Sequence, residues 1–225
     1  PAGGQAGKAF SALALAAVAV ALMMGSLYLG VATPTEVAAL GVVLSRLAGQ
    51  RDVLIGSPVA GRSRRELEGL IGCFLNTLVL RLDVDPTLSF RALLRQARNT
   101  ALDAYENQEV PFERLLEVLE VERDLSRTPL FQVFLNVLNF PEKDAQRGGL
   151  QLEMRGAREV ESKFDLTLYA RELPGALGFQ VVYNASLFDR ARMEILVDQL
   201  ESVLVAAAQE DQPLGDYELV TESTR

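Results

Sequence analysis

The chain has 225 residues, and its content of 49% hydrophobic and 23% charged residues is typical of a folded globular protein. The net charge of −8 and the isoelectric point near 4.8 argue against binding of nucleic acid, which needs clustered lysine and arginine to neutralise phosphates. Histidine is absent, which excludes Ser-His-Asp and Cys-His catalysis, a histidine base and histidine metal ligands. Cys73 is the only cysteine, so the sequence offers no internal disulfide and no cysteine-rich zinc site, as expected for the reducing cytoplasm.

Residues 1–32 form a hydrophobic leader that differs from the rest of the chain. No residue between 9 and 32 is charged, and this run is long enough to span a bilayer. Lys8 before the run and Gly30-Val31-Ala32 at its end also fit a signal peptide. Alanine and glycine weaken the membrane interpretation, because they contribute little transfer free energy. We expect an atypical leader or a buried helix pair on a cytoplasmic protein, with membrane association through residues 9–32 as the alternative.

A helix is predicted to follow the leader. Thr33 has the features of a helix cap, with Pro34 in the first turn and Glu36 three residues after the cap. The helix is expected to reach Ala48 and to end at Gly49.

Short apolar runs and capped helices alternate in the next part of the chain. The runs at 53–56 and 78–83 predict buried strands. Ser89 precedes an apolar stripe at helical spacing, which predicts a capped amphipathic helix. This stripe consists of Phe90, Leu93, Leu94, Ala97 and Ala101. Pro111 is expected to open a shorter helix that ends near Leu119.

The last third of the chain alternates apolar and polar residues, which predicts a meander of strands. The strands are expected at 130–139, 150–155, 164–169 and 179–183, with a hairpin turn at Pro174-Gly175.

A long helix is expected after Asp189, which has the features of its cap. Its core face is predicted to carry Met193, Leu196, Val197, Leu200 and Leu204. The acidic and polar segment 209–225 is expected to be a linker. This order of helices, single strands and a meander favours an α/β fold, a two-layer sandwich of helices on a mixed sheet.

Four segments of the sequence are distinctive enough to be compared with the motifs of known families. They are 55–62 (IGSPVAGR), 71–78 (IGCFLNTL), 107–113 (NQEVPFE) and 123–132 (RDLSRTPLFQ), and they are followed by 163–168 (KFDLTL). In this order and spacing they resemble the core motifs of the condensation domains of non-ribosomal peptide synthetases. The resemblance extends from Thr33 to the end of the chain.

The resemblance implies a fold, partners and a reaction. Residues 33–208 would form the carboxy-terminal lobe, which is similar to one lobe of chloramphenicol acetyltransferase, and residues 209–225 would lead to an adenylation domain. In the family, two lobes enclose a tunnel in which an amide forms between acyl or aminoacyl groups. Carrier proteins deliver these groups as thioesters on phosphopantetheine arms. The implied partners are therefore carrier proteins, the amino-terminal lobe and an adenylation domain, with no cofactor bound directly.

The family's signature is two adjacent histidines, three variable residues and Asp-Gly, and it belongs to the amino-terminal lobe. Because this sequence contains no histidine, we expect it to be inactive in condensation unless another polypeptide supplies that lobe. The hydrophobic leader is interpreted as the result of a truncated coding region or of fusion to an unrelated segment. Asn107 stands where the family commonly has histidine, and we interpret it as drift in a local hydrogen bond.

Three residues are candidates for the substrate tunnel. The resemblance places Asn76 near the tunnel centre, where its amide could donate to a thioester oxyanion or position a carbonyl group. Alternatively, Asn76 satisfies a turn at the start of a strand. Arg62 either brings charge to the tunnel or pairs with an acidic neighbour. Asp165 faces either the channel, the other lobe or solvent.

Other singled-out residues have structural interpretations, and no catalytic residue or metal ligand is assigned. Asp124, Ser126 and Arg127 are expected to fix a loop through side-chain to backbone hydrogen bonds. Cys73 is expected to be a small buried hydrophobe, and Phe112 to plug the core. Two rival functions stay open at this point: a docking module that binds carrier proteins without chemistry, and a membrane-tethered remnant.

Overall fold

The sequence folds into helices and strands that cover most of its length after the leader. In the computed structural model, the described residues are 34–61, 65–67, 69–121, 124, 126–138, 161–173 and 176–219. The helices are α1 (Pro34–Ala48), α2 (Phe90–Glu106), α3 (Phe112–Val118) and α4 (Arg190–Gln209). The strands are β1 (Asp52–Ala60), β2 (Leu75–Asp83), β3 (Val133–Leu138), β4 (Leu166–Leu173) and β5 (Ala176–Tyr183).

The strands form one five-stranded sheet in the order β2-β1-β3-β4-β5. Strand β1 pairs antiparallel with β2 along its whole length, and β4 pairs antiparallel with β5. The central pairs β1–β3 and β3–β4 are parallel, so the sheet is mixed. The β1–β3 ladder is short, because its register joins only Ile55 to Val133 and Gly56 to Phe134.

Helix α1 begins and ends where the sequence predicts. It starts at Pro34, whose fixed φ suits the first turn, and it ends at Ala48 before Gly49. Gly49 has a φ of +65°, the left-handed conformation that favours glycine after a helix. The helix is buried on nearly all sides, and its buried residues include Val37, Leu40 and Val43.

Helices α2 and α4 have the predicted caps. The Ser89 side chain accepts a hydrogen bond from the main-chain N–H of Ala92, and the Asp189 carboxylate accepts one from Arg192 at 2.7 Å. The predicted stripe of α2 is buried at Phe90, Leu93, Ala97 and Ala101, with Leu94 partly buried against the core. In α4, Met193, Leu196 and Leu200 are buried as predicted, and Leu204 packs partly buried against the core. Gln199 and Val203 are also buried, whereas Val197 is only half-buried.

The core lies between one face of the sheet and helices α1, α2 and α4. Alternate strand residues contribute to it, namely Val53, Ile55, Leu80, Leu82, Leu135, Leu166 and Leu168. Burial of these aliphatic side chains between the two layers is the main source of stability. The predicted two-layer α/β sandwich with a mixed sheet is confirmed.

The bounds of all five strands differ from the predicted ones, and for β1 and β3 the structure gives the physical reason. Strand β1 does not end at Gly56 but continues through Pro58, which is tolerated because β3 no longer pairs with β1 at this point. Strand β3 begins at Val133 and not at Leu130. Leu130 has a φ of +69°, which is incompatible with a strand, and the main-chain N–H of Phe131 donates to the Pro129 carbonyl in a tight turn.

Several predictions concern residues outside the described part of the chain. These are the leader 1–32, the cap Thr33, Arg62, the strand at 150–155 and the turn at Pro174-Gly175. The strands on either side of that turn do pair, with Leu173 opposite Ala176. Among the described residues, no helix is long and apolar enough to cross a membrane.

Part of the segment expected to be a linker is packed against the helices. Leu214 and Tyr217 are each only 1% exposed, and the Tyr217 ring lies 6.2 Å from the ring of Phe90. The Arg46 guanidinium donates to the carbonyl oxygens of Leu214 and Gly215 at 3.3 and 2.6 Å.

The amide of Gln199 in turn donates to the carbonyl of Leu219 at 2.8 Å, which explains why this polar side chain is buried in α4. We call residues 211–219 the docked tail. It is an integral part of the fold and not a detached linker.

The buried tyrosine of the docked tail generates a stability prediction. We expect Tyr217→Ala to lower the free energy of unfolding by about 3 kcal/mol, because it removes a large buried ring. Tyr217→Phe keeps the ring, and its hydroxyl lies 3.5 Å from the Glu210 carbonyl, so its cost should stay below about 1 kcal/mol. Urea denaturation measures both values, with the exposed Glu218→Ala as control. Equal stability of the alanine variant and the parent chain would contradict the docking.

Candidate functional site

The carboxyl end of β1 is the part of the sheet where the conspicuous motif residues lie. Gly56 is the last residue of β1 that pairs with β3, and beyond it the β1–β2 hairpin and β3 are no longer paired. In parallel α/β sheets, ligands commonly bind at the carboxyl ends of neighbouring strands. This edge of the sheet is therefore a candidate binding site.

Asn76 lies at this edge, opposite Val59 in the hairpin, and its side chain holds the chain segment before α3. Its amide nitrogen donates to the carbonyl oxygens of Gln108 and Val110 at 2.8 and 2.7 Å. Its amide oxygen accepts from the main-chain N–H groups of Thr77 and Phe112 at 2.8 and 3.2 Å. Both amide hydrogens are thus occupied, and neither is left for a developing oxyanion. The geometry favours the structural interpretation of Asn76.

Asp165 lies just before β4, and it is half-buried. Its main-chain carbonyl accepts a hydrogen bond from Asn184 at 3.0 Å. Leu166, the next residue, pairs with Val133, which in turn pairs with Ile55 of β1. Asn76 pairs with Val59, four residues further along β1.

The structure therefore separates the two described candidates along and across the sheet. Measured along the direction of β1, Asp165 and Asn76 are offset by five residues. Across the sheet, β2 and β4 are three strand spacings apart. At roughly 3.3 Å per residue and about 4.8 Å between strands, Asn76 and Asp165 are on the order of 20 Å apart. They do not form a common site. Arg62, the third candidate, lies outside the described residues.

An aromatic cluster that the sequence analysis missed covers the short ladder between β1 and β3. It consists of Phe112, Phe131, Phe134 and Phe164. The rings of Phe134 and Phe164 are stacked with centroids 4.5 Å apart, and Phe131 is only 1% exposed. A Cβ atom at Gly56 would lie 2.3 Å from the Phe131 ring, so only glycine fits there. A glycine inside a strand is the signal that could have indicated this close approach.

The loop before β3 is fixed as the sequence predicts. The Asp124 carboxylate accepts from the main-chain N–H and the hydroxyl of Ser126 at 2.9 and 2.6 Å. Its other oxygen lies 3.0 Å from Nε of Arg127. The hydroxyl of Ser126, followed by its N–H and by Arg127, holds the pKa of Asp124 below its usual range.

A groove lies between α3 and this loop. Its volume is about 500 Å³, and an adjoining cavity of about 310 Å³ shares part of its wall. Leu116, Val121 and Pro129 line it together with acidic side chains of α3. Among the described residues, the two non-glycine residues with positive φ, Glu120 and Leu130, both border this space.

Ion pairs lie at the opposite end of the β1–β2 hairpin. Arg81 pairs with Asp52 at 2.8 Å and lowers the pKa of that carboxyl through a side-chain hydrogen bond. Arg51 lies 3.0 Å from Asp83 and 2.9 Å from Asp85. The pairs Arg81–Asp52 and Arg51–Asp83 are exposed, so each contributes little to stability.

The thiol Cys73 lies on the surface. Cys73 was expected to be buried, but it is exposed, because the segment after Gly69 runs along the surface before β2 begins. No group of acidic or cysteine side chains within the described ranges is arranged to hold a metal ion.

The hydrogen bonds of Asn76 lead to a mutational prediction. We expect Asn76→Ala to lower the free energy of unfolding by about 2–3 kcal/mol, because main-chain groups lose their partners. Asn107→Ala is the matched control, because the Asn107 amide makes one exposed hydrogen bond, to the Asp103 carbonyl. Denaturation curves of the two variants decide the matter. A loss at Asn76 no larger than that at Asn107 would contradict the structural role.

The Asp124 environment leads to a prediction on titration. A depressed pKa in the folded state contributes stability above the unfolded pKa, and this contribution is lost as the pH falls through the folded value. We expect Ser126→Ala to raise the pKa of Asp124 towards its usual range. Thr87→Ala is the matched control, because the Thr87 hydroxyl is the main cause of the lowered pKa of Asp85. Carboxyl NMR titration should show each variant shifting its own aspartate alone; a shift of the other aspartate would refute the assignment.

Comparison with known proteins gives one family. The family model of the condensation domain matches residues 36–225. One of the linear gramicidin synthase polypeptides of Brevibacillus parabrevis is 47% identical over 176 residues, which is 77% of this chain and 4% of that protein. Tyrocidine synthase 3 of the same organism is 38% identical over 189 residues, 84% of this chain and 3% of that protein. The chain thus spans only a small part of these relatives.

Solved structures agree with this result at the level of the fold. A four-domain nonribosomal peptide synthetase bound to AMP and glycine superposes with a TM-score of 0.75 at 23% identity, covering 84% of this chain and 16% of that chain. The first condensation domain of the CDA synthetase has a TM-score of 0.62 at 19% identity, covering 84% and 42%. The chain belongs to the condensation-domain family of non-ribosomal peptide synthetases, and it comprises part of such a domain.

Proposed function

We propose that the chain supplies the carboxy-terminal lobe of a condensation domain, within a longer synthetase that forms amide bonds between carrier-bound thioesters. The observation that carries this proposal is the single mixed sheet with helices on one face, which matches somewhat less than half of a solved condensation domain. A tunnel between two lobes needs two such sandwiches, and the described residues of this chain form one of them. The sheet face away from the helices carries Phe134 and Phe164, whose half-buried rings offer an apolar wall.

In this proposal the chain positions substrates, and the histidine chemistry comes from the other lobe. The sequence contains no histidine, so the proton transfer attributed to the family's second histidine has no counterpart here. The acyl and aminoacyl groups arrive on the phosphopantetheine arms of carrier proteins, and the lobe itself binds no cofactor. An adenylation domain is the expected neighbour after the docked tail, and the cytoplasm is the expected location.

Asn76 acts as a positioning residue in this function. Its hydrogen bonds to Gln108, Val110 and Phe112 fix the segment from which α3 starts, at the carboxyl edge of β1. Arg62 and Asp165 remain candidates for contacts with the channel or with the other lobe. Asp165 follows Phe164 directly, so it lies beside the aromatic wall.

A reconstitution assay tests the proposed function. The purified chain is incubated with two loaded carrier proteins, alone or with a separately produced histidine-bearing lobe from a close relative. We expect no amide from the chain alone and detectable amide from the two lobes together, because only the pair contains the catalytic histidine. Mass spectrometry of the acceptor arm reads out the product.

The matched control is the added lobe with its second signature histidine replaced by alanine, which should abolish product formation. Amide formation by the chain alone would refute the division of roles. If the two lobes together form no amide, the assignment as a carboxy-terminal lobe fails. Binding of a holo carrier protein without any turnover would favour the alternative function, a docking module without chemistry.

A further inference from the structure

The groove between α3 and the loop before β3 has an apolar interior. Leu116, Val121 and Pro129 line it, and its volume of about 500 Å³ is enough for one or two large side chains. Leu116 is partly buried, so the groove lies beside the inner side of α3.

The rim of the groove is strongly acidic. Among the described lining residues, Glu113, Glu117, Glu120 and Asp124 are acidic, and Arg127 is basic. Arg127 pairs with Asp124, and Arg114 pairs with Glu117 at 2.7 Å. Glu113 and Glu120 are exposed and stand outside these two ion pairs, so their charge is available to a ligand in solvent.

The combination of interior and rim selects one kind of ligand. An apolar side chain gains by leaving water for the interior, and a neighbouring cation gains from the carboxylates around it. An anionic ligand, by contrast, would be repelled by the same rim. The groove thus complements a short segment that is both apolar and basic.

We propose that this groove, which we call the α3 groove, is a docking site for a basic peptide segment of a partner polypeptide, with a leucine-like side chain inserted between Leu116 and Pro129. Lysine or arginine residues on either side of that anchor would pair with Glu113 and Glu120. The proposal is independent of amide formation, because it uses no residue that the condensation role invokes.

Fluorescence anisotropy with the full chain tests the proposal. The probe is a labelled synthetic pentapeptide in which lysine and leucine alternate, Lys-Leu-Lys-Leu-Lys. Two comparison peptides replace all lysines by glutamate or all leucines by serine. We expect measurable binding of the first probe alone, and a loss of affinity with added salt, because the rim charges are screened.

Variants of the chain locate the bound peptide. Glu120→Lys should weaken binding about five-fold or more, since it replaces an attraction at the rim by a repulsion. Glu201→Lys is the matched control, because Glu201 is exposed on α4, and it should leave the affinity unchanged. Leu116→Ala should also weaken binding, whereas Val118→Ala, on the same helix but outside the groove, should not.

Several results would contradict the proposed docking of a basic peptide. No binding of the lysine–leucine probe, or equal losses in Glu120→Lys and Glu201→Lys, would overturn the proposal. Equal binding of the lysine–serine probe would show a purely electrostatic surface and would overturn it as well. Circular dichroism of each variant confirms that the fold is retained. A negative result here leaves the reconstitution of amide formation untouched, so the two proposals fail separately.

Discussion

The sheet depends on the close contact of β1 with β3 at Ile55 and Gly56. This two-residue ladder joins the antiparallel hairpin β1–β2 to the unit β3–β4–β5, and without it the strands would form two separate pieces. Phe131 covers the ladder and needs the space that a side chain at Gly56 would fill. The stacked pair Phe134 and Phe164 then continues this apolar layer towards β4. A single missing Cβ atom thus permits both the continuity of the sheet and the aromatic wall.

The same edge of the sheet fixes helix α3. Asn76 occupies the start of β2, and its amide replaces hydrogen bonds that the irregular segment between α2 and α3 cannot make internally. An amide side chain is suited to this task, because its NH2 group can donate two hydrogen bonds while its oxygen accepts others. The orientation of α3, and with it the wall of the α3 groove, therefore depends on a residue of the neighbouring strand.

The sequence predicts much of the fold, because local signals and packing agree there. Gly49, Ser89 and Asp189 mark helix ends through local signals that act within a few residues. The strand bounds were less predictable. Pro58 is compatible with β1 because β3 no longer pairs with β1 at that position. Leu130 is excluded from β3 because its φ is positive. Both facts depend on tertiary neighbours.

The candidate site was less predictable than the fold. The sequence indicates that Asn76 is special, but its four hydrogen-bond partners lie at Thr77 and in the segment 108–112, most of them far along the chain. The docked tail is a similar case. Its acidic and polar composition is typical of a linker, whereas its two buried anchors, Leu214 and Tyr217, are outnumbered by exposed residues.

The docked tail also has a consequence for the order of folding. Arg46 and Gly215, which are joined by a hydrogen bond, are 169 positions apart in the chain. Contacts of such long range raise the contact order and are formed late, because a large loop must close before they contribute. During synthesis, helix α1 leaves the ribosome long before the segment that covers it. Until that segment arrives, part of the apolar surface of α1 is open to solvent, and such exposure makes a nascent chain prone to aggregation.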